Sequence, residues 1–102
     1  FDVRFLPNPY WDENLRPLTG IDADVSTYVL GNPIAEKFLS HLEGMLELLL
    51  PAYVAEGKSY LSIAIGCTGG QHRSVAMVER LSQWFIDRSM HPRVTHRDLP
   101  RH

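Results

Sequence analysis

The sequence predicts a small α/β domain of two or three layers, built on a mainly parallel sheet with the order β-α-β-α-β. Three observations carry that expectation. Short alternating or wholly apolar runs at residues 2–6, 60–65 and 93–97 have the length and composition of strands. The two longer stretches between them repeat apolar residues at three- and four-residue steps, as amphipathic helices do. Strands separated by helices run parallel and are joined by right-handed crossovers.

In chain order, residues 2–6 set Val3 and Phe5 against Asp2 and Arg4, and Pro7 and Pro9 stop the strand. Residues 8–31, with their prolines, Gly20 and aspartates, read as an ordered loop with at most a turn or two of helix near 25–30. So long a loop in a compact domain points to function. Asn32 before Pro33 is an N-cap followed by proline at the first helical position. Ile34, Phe38, Leu42, Met45, Leu46 and Leu49 then share one face; Pro51 is expected to kink or end that helix, and Gly57 to close it. In the run 60–65, Leu61, Ile63 and Ile65 face one way and Ser62 and Ala64 the other, which suits a strand buried on both sides. A helix over 71–88 turns Val75, Val78, Leu81 and Phe85 inward and stops at His91-Pro92, after which residues 93–97 alternate like an edge strand. Ligands of open parallel sheets sit beyond the carboxyl ends of the strands, so the loop 8–20 is expected beside residues 66–74.

Residues 65–74, Ile-Gly-Cys-Thr-Gly-Gly-Gln-His-Arg-Ser, carry the chemistry. Gly69 and Gly70 let the backbone curl until successive N–H groups face one point, and the helix behind them adds unsatisfied donors and a positive dipole end. Thr68 and Ser74 offer hydroxyls, His72 a ring nitrogen, and Arg73 a fork for phosphate oxygens. A phosphate, a phosphorylated metabolite or a nucleic-acid backbone fits such a cradle. The Walker pattern is absent, so ATP hydrolysis has no sequence warrant. Cys67, with Arg73 and Ser74 behind it, also resembles the signature of cysteine-dependent phosphatases, whose thiolate attacks phosphorus. Gly66 stands where that family has a histidine, and Asp12 is the one candidate acid. An inert cysteine at the end of a strand is the plainer reading.

With 102 residues the chain has room for one domain. No apolar run reaches the roughly 18–20 residues of a membrane span, because the richest stretch, 45–54, contains Glu47 and Pro51. One cysteine and no cleavable leader fit a cytoplasmic protein. The chain opens at Phe1 within a strand-like pattern, as a piece of a longer protein would. Residues 1–57 carry nine acidic and three basic groups, and residues 58–102 three acidic and seven basic. The half with the anion loop is thus the basic half, which hints at a polyanionic partner. No pair of histidines has ligand spacing, so neither metal nor cofactor is expected, and Trp11 and Trp84 read as packing residues.

Residues 2–9 (Asp-Val-Arg-Phe-Leu-Pro-Asn-Pro), 15–20 (Leu-Arg-Pro-Leu-Thr-Gly) and 64–75 together closely resemble the C-terminal domain of the RapZ/YvcJ family. The resemblance implies a bacterial protein with an N-terminal P-loop nucleotide-binding domain that this chain lacks. It implies an adaptor that senses glucosamine-6-phosphate, binds small RNAs and presents one to RNase E, controlling amino-sugar synthesis; elsewhere in the family nucleotide sugars are the associated ligands. By position it makes Thr68, Gly69, His72 and Arg73 the phosphate contacts, with Asn8 and Tyr10 completing the pocket. Two departures matter. The family's histidine is here Tyr10, which donates a hydrogen bond but carries no positive charge at neutral pH. Its dense basic tail is reduced to Arg93, Arg97 and Arg101, which weakens the expectation of RNA binding. The leading expectation is therefore a regulatory binding module without catalysis, taking a phosphorylated amino sugar or related metabolite at Asn8, Tyr10, Thr68, Gly69, Gly70, His72, Arg73 and Ser74. A phosphatase using Cys67 and Arg73, and a plain oligomerisation domain, are the alternatives.

Overall fold

Asn32 caps a long helix as its sequence demands: its Oδ1 accepts the Ile34 N–H at 2.9 Å, and Pro33 takes the first helical position. The computed structural model of the chain describes residues 1–58 and 60–99. Three helices follow one short 3-10 turn at Pro9–Trp11: α1 (Ala23–Leu30), α2 (Pro33–Glu56) and α3 (Arg73–Asp87). The helix near 25–30 is thus a full element, and α2 runs through Pro51 to Gly57, which closes it at a φ of 92°.

The parallel sheet is not there. Among the described residues the only β pairing is a single parallel bridge between Asp2 and Gly66, so the domain is helical and not α/β. Its hydrogen bonds run from Phe1 N to Ala64 O, Gly66 N to Phe1 O and Val3 N to Gly66 O, at 2.6, 2.8 and 2.8 Å. Local bonds end the pairing there. Asp2 takes both the Arg4 N–H, at 2.9 Å, and the Arg4 Nε, at 2.7 Å, and the Leu6 N–H turns back onto Val3 O at 3.1 Å. A short acidic side chain that bonds its own neighbours competes directly with a ladder. Residues 93–97 pair with no strand among the described residues either; His96 instead meets Glu79 of α3. Alternation marks a segment with two faces but names no partner for its edge.

Two apolar clusters hold the helices. Val3, Leu6, Val25, Val29, Ala35, Leu39, Ala76 and Met77 form one, and Leu42, Leu46, Leu81 and Trp84 the other. The buried face of α2 is rotated from the predicted one: Ala35, Leu39, Leu42 and Leu46 face inward, while Ile34 and Met45 are more than half exposed. On α3, Val75 and Leu81 are buried, Val78 and Phe85 half-buried, and every residue from Arg73 to Met77 is enclosed. A helix start buried all round needs cover on each side, and residues 15–20 supply it. Gly20 donates to Gln71 O at 2.8 Å and lies so close that a β-carbon would overlap Ala76 N and His72 O. No helix among the described residues is long and apolar enough to cross a membrane.

Gly20→Ala should therefore lower the unfolding free energy by about 1–3 kcal/mol, the usual cost of overpacking. Gly44 is mid-helix, and an added β-carbon would meet nothing within 4 Å, so Gly44→Ala should raise it by about 0.5–1 kcal/mol. Urea denaturation of both variants checks the pair, and equal effects would contradict the packing described.

Candidate functional site

Gly69 and Gly70 take φ values of 82° and 66°, a conformation that other residues adopt only at a cost, and they turn the chain into α3. Among the described residues no protein carbonyl accepts from the N–H groups of residues 68–72. Arg73 sits at the first position of α3, and no acidic residue occupies that helix's first turn. A cation at the positive end of a helix dipole is electrostatically unfavourable until an anion joins it.

Arg73 is only 4% exposed, and its guanidinium is already partly engaged. Nη1 donates to the carbonyls of Arg4 at 2.8 Å and Leu6 at 3.1 Å, while among the described residues Nε is buried with no partner. The expected phosphate fork is thus shared: one nitrogen ties the 1–6 segment to α3, and one buried donor stays unmatched. An unsatisfied buried donor costs about 1–3 kcal/mol.

His72 is also buried, and its Nε2 lies 3.1 Å from Arg16 O. A carbonyl only accepts, so Nε2 carries the proton in this bond. Arg16 in turn donates from Nε to Tyr10 O at 2.7 Å and places its guanidinium 4.6 Å from the Tyr10 ring centre. Asn8 caps the 3-10 turn by accepting the Tyr10 N–H at 3.1 Å. The loop carrying Asn8 and Tyr10 is thereby tied to His72 through Arg16.

Cys67 faces Ser74 across the loop. Sγ and Oγ are 3.3 Å apart, and the Ser74 N–H donates to Sγ at 3.3 Å. Burial pushes the Cys67 thiol up, but the Ser74 hydroxyl and N–H, the Gly70 N–H and the Arg73 charge together bring it below the usual range. Thr68 and Gly69 are exposed at the loop's surface. Arg93 and Arg97 are exposed on the segment after α3, and Arg101 lies outside the described residues.

Two contributors escaped sequence reasoning. Arg16 acts through its carbonyl and its stacked guanidinium, and a lone arginine in a loop gives no sign of either. Asp98 rests its carboxylate against Gly70, closely enough that a β-carbon there would collide with it. Only the acidic residue's placement within a basic segment could have drawn attention to it.

The family model described as the RapZ C-terminal domain matches residues 1–100. The chain belongs to the RapZ C-terminal domain family. A nucleotide-binding protein of Geobacter sp. strain M21 is 56% identical over 98 residues, covering 96% of this chain and 34% of that protein. One from Corynebacterium jeikeium is 55% identical over 100 residues, covering 98% and 34%, and one from Symbiobacterium thermophilum 54% over 101 residues, covering 99% and 33%. This RapZ C-terminal domain thus spans about a third of the length of the curated relatives it matches.

The Cys67 thiol should titrate below its own midpoint in the urea-unfolded chain. A thiol depressed by folding adds stability that is present above the unfolded value and fades as pH falls through the folded one. Thiolate absorbance against pH measures both midpoints, and Ser74→Ala should narrow the gap. Coincident midpoints would contradict the hydrogen bonding at Sγ.

Proposed function

We propose that this RapZ C-terminal domain is a binding module that recognises a phosphorylated amino sugar, or a related metabolite such as a nucleotide sugar, at the loop 67–74. The observation that carries this reading is the conjunction at the start of α3. N–H donors free of protein carbonyls, positive-φ glycines and a buried cation converge where no acidic side chain occupies the helix's first turn. That arrangement is incomplete without an oxyanion, and a phosphate monoester supplies one. Thr68 and Ser74 add hydroxyls, Gly69 a backbone donor, Gly70 a backbone N–H it shares with Cys67 Sγ, and His72 and Arg73 polarity; Asn8 and Tyr10 rim the sugar side, with one face of the Tyr10 ring covered by Arg16. Arg73 has two tasks, holding residues 4–6 and offering its unmatched Nε.

An adaptor role toward a small RNA and a ribonuclease is supported by family membership and by the exposed Arg93 and Arg97. The names of the relatives support a nucleotide-binding activity for the whole protein, and a P-loop domain elsewhere in it is part of the same proposal.

One observation favours a second reading, cysteine phosphatase chemistry: the lowered Cys67 thiol, held by Ser74. Against it, the Arg73 Nη1 that would gather the phosphoryl oxygens is spent on the Arg4 and Leu6 carbonyls.

Titration with glucosamine-6-phosphate should move the amide resonances of residues 68–74 saturably, glucosamine alone should not, and Thr68→Val should weaken binding by about 0.5–1.5 kcal/mol, the worth of one hydrogen bond. Unmoved spectra at millimolar ligand would overturn the binding reading. Aryl phosphate should not be turned over; hydrolysis that disappears in Cys67→Ser would establish the phosphatase instead.

A further inference from the structure

The segment after α3 does more than leave the domain. His96 is nearly buried, its side chain 12% exposed, and its Nε2 lies 3.1 Å from Glu79 Oε1 on α3. Two residues later the Asp98 carboxylate rests on Gly70, the second glycine of the anion loop. Residues 91–98 also line a cleft of about 820 Å³ together with Leu61, residues 63–65 and the α3 side chains Val78, Leu81 and Phe85.

We infer that residues 91–98 form a strap that closes the anion loop, with the Asp98 carboxylate standing in for the oxyanion of a phosphate ligand. The inference rests on the reading of that loop as an anion site. His96 is the anchor: its bond to Glu79 fixes the strap along α3 at the spacing that brings Asp98 onto Gly70. A carboxylate is an oxyanion of lower charge and fewer oxygens than a phosphate monoester, so it occupies the cradle weakly and yields to the ligand. Arg97, 90% exposed, pairs with the same carboxylate at 3.2 Å and travels with it on the strap. Binding at the loop and docking of the strap are then mutually exclusive. Linkage makes the effect reciprocal, so a macromolecule that held the strap away would raise phosphate affinity by the same factor by which phosphate favours that complex.

The test titrates inorganic phosphate into the full chain, reading the Gly69 and Gly70 amides, for the wild type, Asp98→Asn and Asp87→Asn. Asp87 lies at the far end of α3, and its variant controls for the loss of one negative charge. The strap predicts phosphate binding about fivefold or more tighter in Asp98→Asn and unchanged in Asp87→Asn, within the usual range of coupling between sites. It also predicts that saturating phosphate shifts the His96 ring resonances of the wild type as the anchor lets go. Equal affinities in all three proteins, with His96 unmoved, would overturn the strap and leave the anion site standing. Amides that respond to phosphate in none of the three would overturn the anion site, and the strap with it.

Discussion

The bond from the Arg73 guanidinium to the carbonyls of Arg4 and Leu6 is the tie on which the remaining geometry hangs. It fastens the first segment of the chain to the first turn of α3 across 69 and 67 residues of sequence. With that segment fixed, Phe1 and Val3 pair with residues 64–66, and the glycine turn is held between two anchored ends. Burying a guanidinium is costly unless its donors are matched, and two carbonyls match it only in part. The same residue therefore shapes the loop while one of its own donors stays unmatched among the described residues.

That double use accounts for the crowding around residues 72–77. Gly20 packs against α3 without room for a side chain, and Arg16 holds the His72 ring by a main-chain oxygen. Residues 15–20 thus act as a clamp on the helix start and carry Tyr10 and Asn8 with them. Hydrogen bonds from this loop to residues 71 and 72 hold it against the start of α3.

The features legible in the sequence are those with local causes. Asn32-Pro33 starts a helix because a side-chain oxygen and a fixed φ do so in any context, and Gly57 ends it for the same kind of reason. The Gly69-Gly70 turn before α3 is legible because positive φ is nearly the property of glycine alone. The expected sheet fails because period-two alternation at residues 2–6 and 93–97 describes faces, whereas pairing depends on whether Asp2 and the Leu6 N–H bond locally first. The inward face of α2 differs from the expected one by about one position, since Ile34 and Met45 are as apolar as the residues that are buried. Where the Arg73 guanidinium points, and that Asp98 returns to Gly70, are long-range outcomes with no local mark. Membership of the RapZ C-terminal domain family, by contrast, is carried by contiguous motifs and needs no fold to be recognised.

Arg73 is held by main-chain carbonyls at Nη1 while its Nε–H is buried and unmatched among the described residues, and the proposed anion site rests on that imbalance. Nuclear magnetic resonance of the arginine side-chain N–H groups, in the free chain and with phosphate added, probes this state at the atom concerned. A distinct Arg73 Nε–H signal is expected, shielded from solvent exchange in the free chain and displaced when phosphate binds. A signal that exchanges as fast as those of the exposed arginines, or one indifferent to saturating phosphate, would refute it.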